Sequence, residues 1–361
     1  MTASDSASPI PLEQPGDPFG AHRVTAPRGC LPQAAEKVDN DFSRFYDTEL
    51  LLDVNMLNLD AASFRQLREA ASDDPERIGQ LVLETVHTRG KQHNPVTGSG
   101  GMLLGTVRRV GSAAAGQVPE GARVASLVSL TLTPLSLSAI ERVHLASGQL
   151  DVSGQAVLFV SSPLAVLPED LPERVALAAL DVCGAPAQVA RSARSGQTVL
   201  VLGAGGKSGL LCVAQAREQV GEGGRVLGVE LDAGYREALG RLGLCDAVIE
   251  ADARDPLALR AAVLTANAGK ECDLVVSCVN VDGAELGAVL CARDRGEVYY
   301  FAMTTSFSRA ALGAEGVGKD VDLRIGNGFV HGHAALTLDL LRRHRAVREL
   351  FEQRYAALAE R

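Results

Sequence analysis

Residues 198–209 read TVLVLGAGGKSG. An apolar run, Val199 to Leu202, ends in glycine, and glycines recur at Gly203, Gly206 and Gly209 with Gly205 between them. The spacing is G-x-x-G-x-x-G; Ser208 stands where the plain G-x-G-x-x-G fingerprint has its last glycine. A strand, a tight glycine turn and a helix start suit a pyrophosphate. The bare backbone lets the anion approach, and the helix N-terminus turns its N–H groups toward it. Gly203, Ala204, Gly205, Gly206, Lys207, Ser208 and Gly209 are therefore expected to line a dinucleotide, with Lys207 or Ser208 adding a phosphate contact. The next apolar run, Val226 to Val229, ends at Glu230. That is about 20 residues past the last glycine, where a carboxylate meets both ribose hydroxyls and repels a 2′-phosphate. NAD is expected over NADP, and Val279 at the end of a later strand completes the expected cofactor set.

Outward from this turn, strand signals at 199–202, 226–229, 247–249, 274–279 and 296–303 alternate with helix signals at 210–220, 235–242, 256–266 and 285–291. Such alternation means right-handed crossovers and a doubly wound α/β sheet, parallel, with helices on both faces. Before it, from about residue 167, PEDLPERVALAALDVCGAPAQVARSA is helical in composition. Earlier still the pattern changes. ELLLDVN at 49–55 reads as a strand, and 61–86 has helical periodicity broken at Asp73-Asp74-Pro75. Residues 102–110 and 122–132 read as strands on either side of a Pro119-Glu120-Gly121 turn. Between these lies a glycine-rich loop dense in polar side chains, Arg89 to Gly101. A helix is expected at 333–359. The expected organisation is a disordered arm (1–19), a β-rich domain (20–165, rejoined by 330–361) and a dinucleotide-binding domain (166–329).

Composition agrees with this. At roughly 150 residues per domain, 361 residues suggest about two domains. With 46% hydrophobic and 22% charged residues, the chain is neither disordered nor collagenous nor a polytopic membrane protein. A net charge of -9 argues against a nucleic-acid or anionic-membrane partner. The seven cysteines form no C-x-x-C pair and several lie in apolar runs, so they read as reduced core thiols of a reducing compartment. No basic, apolar leader opens the chain and no run approaches ~18 apolar residues. A cytoplasmic location is expected.

The order of parts resembles the medium-chain dehydrogenase/reductase superfamily. A β-rich first domain precedes the dinucleotide-binding one, and Pro95-x-x-Gly98-Ser99-Gly100, Gly121-Ala-Arg123-Val124 and Ser195-Gly196-Gln197-Thr198 follow the superfamily in sequence. Longer blocks are similar to the L-erythro-3,5-diaminohexanoate dehydrogenase family: VDNDFSRFYD (38–47), NPVTGSGGML (94–103), LVSLTLTPL (127–135), LDVCGAPAQ (180–188) and ALGAEGVGKDV (311–321). The resemblance implies a GroES-like first domain, a Rossmann second domain, a site in the cleft between them, and a homodimer. It also implies a reaction of lysine fermentation, in which NAD oxidatively deaminates 3,5-diaminohexanoate at C3 to 5-amino-3-oxohexanoate, ammonia and NADH. Two other readings of the same fold are a zinc-independent NAD(P)H reductase of quinones or enones, which Glu230 argues against, and a non-catalytic NAD-binding protein.

Many superfamily members hold zinc through a cysteine in an early loop and the histidine of a G-H-E motif. Here those positions are Asn58 and Ser99, and no closely spaced cysteines offer a structural zinc lobe. No metal is expected; the rival is a rebuilt site at His331-Gly332-His333, with two imidazoles on one face of a strand. Amine oxidation needs a base, because an ammonium must lose a proton before hydride can leave its carbon. His93 is the candidate base. Lys91 is a candidate carboxylate anchor, or a base if desolvation lowers its pKa. Asn94, Thr97 and Ser99 are candidates to orient substrate or water. Asp60, where superfamily members place a hydroxyl relay, is a candidate to accept a proton or hold an ammonium. Asp181, in an apolar Ala-rich segment, is a candidate to hold an ammonium or cap a helix.

Overall fold

A computed structural model describes residues 13–94, 98–326 and 328–356. The chain separates into two compact units between Pro168 and Glu169.

The first unit is built on a six-stranded antiparallel sheet. Its strands are β1 (Glu49–Asn58), β2 (Met102–Val110), β3 (Arg123–Ser126), β4 (Leu135–His144), β5 (Gln149–Phe159) and β6 (Leu164–Val166). They lie in the order β6-β3-β2-β1-β5-β4. β1 is central, which is why Leu50, Leu52, Val54 and Leu57 are buried on it. Helices α1 (Ala61–Ala71) and α2 (Pro75–Arg89) join this core through Phe64, Ile78, Val82 and Val86. The break between them falls where the sequence places it. Ser72 and Asp73 turn left-handed, Asp74 caps α2 through Glu76 N–H, and Pro75 opens that helix, where its missing N–H costs nothing. The strand expected over 122–132 is shorter, because Ser129 accepts from Thr131 N–H and coils Leu130–Leu132 into a 3-10 turn.

Glu49, at the start of β1, is fully buried against an equally buried Arg23. The guanidinium grips the carboxylate with both forks, at 2.7 and 2.8 Å, and also donates to the carbonyls of Asp41 and Arg44. Burial alone would raise the Glu49 pKa; hydrogen bonds from Arg23 and His22 outweigh it and hold the carboxyl below its ordinary value.

The second unit carries the doubly wound sheet. Helices α3 (Glu173–Leu180) and α4 (Gly184–Ser192) lead into strands β7 (Thr198–Leu202), β8 (Arg225–Val229), β9 (Ala247–Ile249), β10 (Cys272–Ser277), β11 (Ala292–Tyr300) and β12 (Val321–Ile325). All pair in parallel, in the order β9-β8-β7-β10-β11-β12. Helices α5 (Lys207–Val220), α6 (Ala233–Leu242), α7 (Pro256–Ala266) and α8 (Glu285–Cys291) make the crossovers. The strand order reverses between β7 and β10, and the glycine turn leaves β7 at that switch point, where ligands bind in such sheets.

Two elements of this unit went unforeseen, α9 (Phe307–Gly316) and β12, as did β4, β5 and β6 of the first unit. α9 holds two of its glycines at its C-terminal end, and β12 is an edge strand whose Asp322 and Arg324 break the apolar pattern. The expected terminal helix is two, α10 (His333–Arg343) and α11 (Arg345–Phe351), parted at His344. Residues 330–361 were expected to return to the first domain; α10 instead packs on α3, α4 and α5, within the second unit. Among the described residues, no helix is long and apolar enough to cross a membrane.

Candidate active site

The glycine turn is held by backbone and by one carboxylate. Gly203 and Ala204 both donate to the Val229 carbonyl, tying the turn to the end of β8. Glu230 follows at once. Its carboxylate accepts from Gly205 N–H at 3.0 Å and from the N–H groups of Leu231 and Asp232. A flexible side chain is thereby fixed at the strand tip before any ligand arrives.

The glycines have distinct reasons. A Cβ on Gly209 would lie 2.1 Å from the Gly203 carbonyl oxygen, and one on Gly205 2.6 Å from Tyr235 Cβ. Gly203 has a left-handed φ of 71°, and a Cβ there would come within 3.3 Å of Val279 N. These three serve the turn's own packing. Gly206 does not. Its φ of -73° suits any residue, and the nearest atom to a Cβ there is 3.5 Å away. Gly206 also caps α5, whose first-turn N–H groups lie outside the helical ladder. The open space over Gly206, the α5 N-terminus and the fixed Glu230 suit a dinucleotide's phosphates and ribose.

Lys207 and Asp181 meet each other. Nζ lies 2.6 Å from Asp181 Oδ2, and the two side chains are 14% and 9% exposed. A carboxylate in so apolar a helix end needs a countercharge, and a lysine in the first turn of α5 supplies it. Arg354, in the last described turn, donates to the Gly205 carbonyl at 2.8 Å and stacks on Tyr235.

In the first unit, α1, α2 and the loop after α2 enclose a pocket of about 420 Å³, with Ser63, Gln92, His93 and Asn94 on its wall. Asp60 caps α1 by accepting from Ser63 N–H, and the Ser63 hydroxyl also donates to it. Asn94 Nδ2 donates to Ser63 Oγ at 2.9 Å. The polarity of this chain is fixed, from Asn94 through Ser63 to Asp60. The backbone then closes a turn, Asn94 N–H donating to the Ser99 carbonyl and Gly98 N–H to the Asn94 carbonyl. Thr97 lies outside the described residues.

His93 is half-buried, and its Nδ1 has no partner among the described residues. Burial, with Lys91 and Arg89 nearby, lowers its pKa, so the imidazole is neutral at neutral pH. Lys91 is fully buried, and its Nζ donates to the carbonyls of Pro32, Gln33 and Thr131. Burial and Arg89 lower it to about 8, still cationic at neutral pH. Three acceptors match the three N–H donors of an ammonium. Lys91 thus staples three strands of chain rather than facing the pocket.

Asn58 is buried at the end of β1, where its Oδ1 accepts from Gln149. His331 and His333 do not share a strand: Gly332 is left-handed, His333 opens α10, and both rings pack edge-on against Phe329. Among the described residues, no three His, Cys, Asp or Glu side chains cluster as a metal ion would require.

A family model described as the L-erythro-3,5-diaminohexanoate dehydrogenase N-terminal domain matches residues 22–168. An L-erythro-3,5-diaminohexanoate dehydrogenase of Acetoanaerobium sticklandii is 47% identical over 342 residues, 94% of this chain and 99% of that one. The chain belongs to the L-erythro-3,5-diaminohexanoate dehydrogenase family. A second relative of that name, from Fusobacterium nucleatum, is 46% identical over the same shares of both chains. This dehydrogenase is therefore an oxidoreductase. Solved structures share its fold at low identity. Mycobacterial Rv1454c, complexed with NADPH, has a TM-score of 0.56 at 17% identity, covering 85% of this chain and 88% of its own. The CurK enoyl reductase has a TM-score of 0.52 at 15% identity, covering 85% and 78%. The fold is the medium-chain dehydrogenase/reductase arrangement the sequence leads one to expect.

Of the residues lining the pocket of the dehydrogenase, only His93 and Asn94 were candidates from sequence; Ser63, Glu84, Arg89 and Gln92 were not. Ser63 had a signal, an Asp60-x-x-Ser63 spacing at a helix start, related to a capping box. Gln92 had none, since a glutamine in a polar loop reads as solvated. The unequal reasons for the glycines make a prediction. Gly206→Ala should leave Tm unchanged within about 1 °C yet weaken dinucleotide binding about tenfold, roughly 1.4 kcal/mol. Equal affinity of variant and wild type in a fluorescence titration with NADH would place the phosphates elsewhere.

Proposed function

We propose that the enzyme catalyses NAD-dependent oxidative deamination of L-erythro-3,5-diaminohexanoate at C3, giving 5-amino-3-oxohexanoate and ammonia in lysine fermentation. The observation that carries this reading is 47% identity across 94% of the chain to a dehydrogenase of that name. Preference for NAD is supported by Glu230, whose carboxylate is held by three backbone N–H groups at the tip of β8; a carboxylate at that strand end in dinucleotide folds favours ribose hydroxyls over a 2′-phosphate.

The chemistry NAD supplies when bound is acceptance of the hydride from C3. The protein's own groups handle the protons. The C3 ammonium of the substrate loses one to His93, whose neutral imidazole is ready to receive it. Loss of hydride from the resulting amine leaves an iminium at C3. His93 releases the first proton to solvent, takes a proton from the water that adds to C3 and returns it to the carbinolamine nitrogen; ammonia then leaves as the hydroxyl proton passes to His93 and the ketone forms. Asn94, held by Ser63 and through it by Asp60, orients substrate or water beside the base.

The test is formation of NADH, followed at its own absorbance band, with purified enzyme and L-erythro-3,5-diaminohexanoate, run in parallel with NADP and with chelator. Turnover with NAD that survives chelation is the expected result. A strong preference for NADP would overturn the part assigned to Glu230. Turnover lost to chelator and restored by zinc would keep the substrate and overturn metal independence. No turnover with either dinucleotide would overturn the assigned reaction.

A further inference from the structure

Two residues that line the first unit's pocket each carry a buried polar atom without a hydrogen-bond partner among the described residues. Gln92 is 3% exposed, and its Oε1 has no hydrogen-bond partner among the described residues. His93 Nδ1, one residue on, is equally without one. Each buried, unpaired acceptor costs roughly 1–3 kcal/mol. Both belong to residues that line one pocket, and a donor from outside the chain would satisfy them. A primary amine or ammonium suits them, since it carries several N–H donors on one small atom.

The rest of the pocket narrows the ligand further. Leu67 and Leu81 give it an apolar side. Glu84 and Arg89, both on α2, bring opposite charges to its lining. Arg89 has no ion-pair partner among the described residues, and Glu84 meets only Arg77, at 3.6 Å. The two are five residues apart, about 7.5 Å along the helix axis at 1.5 Å per residue. Charges of both signs, set apart around buried acceptors, suit a short chain with a carboxylate at one end and a second ammonium at the other.

We propose that this pocket is the substrate pocket, with Gln92 Oε1 and His93 Nδ1 receiving the C3 nitrogen, Arg89 facing the carboxylate and Glu84 the C5 ammonium. The proposal rests on the reaction assigned above and adds the residues that tell the two amines apart. Only the C3 nitrogen reaches the neutral imidazole; the C5 nitrogen is held at Glu84. A monoamino acid leaves Glu84 unused.

Gln92→Leu and Glu84→Gln test this. Replacing an unsatisfied buried amide with an apolar group of similar size is neutral or stabilising, so Gln92→Leu should keep or raise Tm. Its KM for 3,5-diaminohexanoate should rise at least tenfold, while NADH affinity, measured by fluorescence, stays the same. Glu84→Gln should raise KM for the diamino acid severalfold and leave KM for 3-aminohexanoate unchanged. If the wild type oxidises the diamino acid and both variants keep its KM within twofold, the pocket is wrong and the reaction stands. If the wild type neither binds nor oxidises the diamino acid, reaction and pocket fall together.

Discussion

Replacing His93 with glutamine should lower kcat for 3,5-diaminohexanoate by roughly a hundredfold to ten-thousandfold, the range for loss of a positioned general base. KM should move far less, since glutamine keeps a polar group on the pocket wall. The pH profile separates a base from a mere neighbour. The folded protein holds His93 below its ordinary value near 6.5, chiefly through burial, with Lys91 and Arg89 adding to it. The base works unprotonated, so kcat/KM should fall only as the pH drops through a value under about 6.5, and hold level on that side up to neutrality. The variant should lack this acid limb. Wild-type kcat in the variant at neutral pH would remove His93 from the proton path.

The largest expected effect on stability lies elsewhere, at Arg23 and Glu49. Removing one member of a buried, doubly hydrogen-bonded pair leaves a charge in the core without its counterion, at about 3–5 kcal/mol. Arg23→Met should therefore lower Tm by roughly 6–20 °C, at 2–4 °C per kcal/mol. The double variant with Glu49→Leu should regain much of this, because the stranded charge is then gone. The pair also has a pH signature. Glu49 is held below its ordinary value near 4.5 in the folded state. Its contribution is therefore complete above about that pH and is lost as the pH falls through the lower, folded value. Chemical denaturation at pH 7 and below 4.5 should show the gap between wild type and Arg23→Met narrowing in acid. A constant gap would mean that Arg23 acts through packing alone.

What could be read from residue order follows the reach of the forces involved. The glycine turn, its strand and its helix were legible because a dinucleotide cradle is made by neighbours in the chain, and Glu230 because strand and crossover lengths are nearly constant. The break at Ser72 to Pro75 was legible for the same reason. Pairings across the fold were not. Asp181 and Lys207 each looked like a ligand group, and only folding shows that 26 residues of separation close to 2.6 Å. Lys91 looked like an anchor for substrate because its loop is polar; the carbonyls that occupy it come from segments 59, 58 and 40 residues away. Gln92 was unreadable for the opposite reason, since its interest lies in a partner it does not have. His93 and Asn94, read from chemistry alone, do share one pocket with Ser63, which Asp60 holds.

The confinement of Lys91 and Lys207 bears on how this enzyme can be handled. The chain has lysines only at 37, 91, 207, 270 and 319, against a far larger number of arginines. Lys319 is tied to Glu271 at 2.7 Å and is 14% exposed. That leaves Lys37 and Lys270 as the exposed amines, one in each unit. Among lysine side chains, reagents aimed at amines, such as activated esters, surface-coupling resins and crosslinking aldehydes, will thus act at two addresses, both away from the glycine turn and the pocket in sequence. Immobilisation through lysine side chains should give two main orientations on the support, one for each exposed lysine.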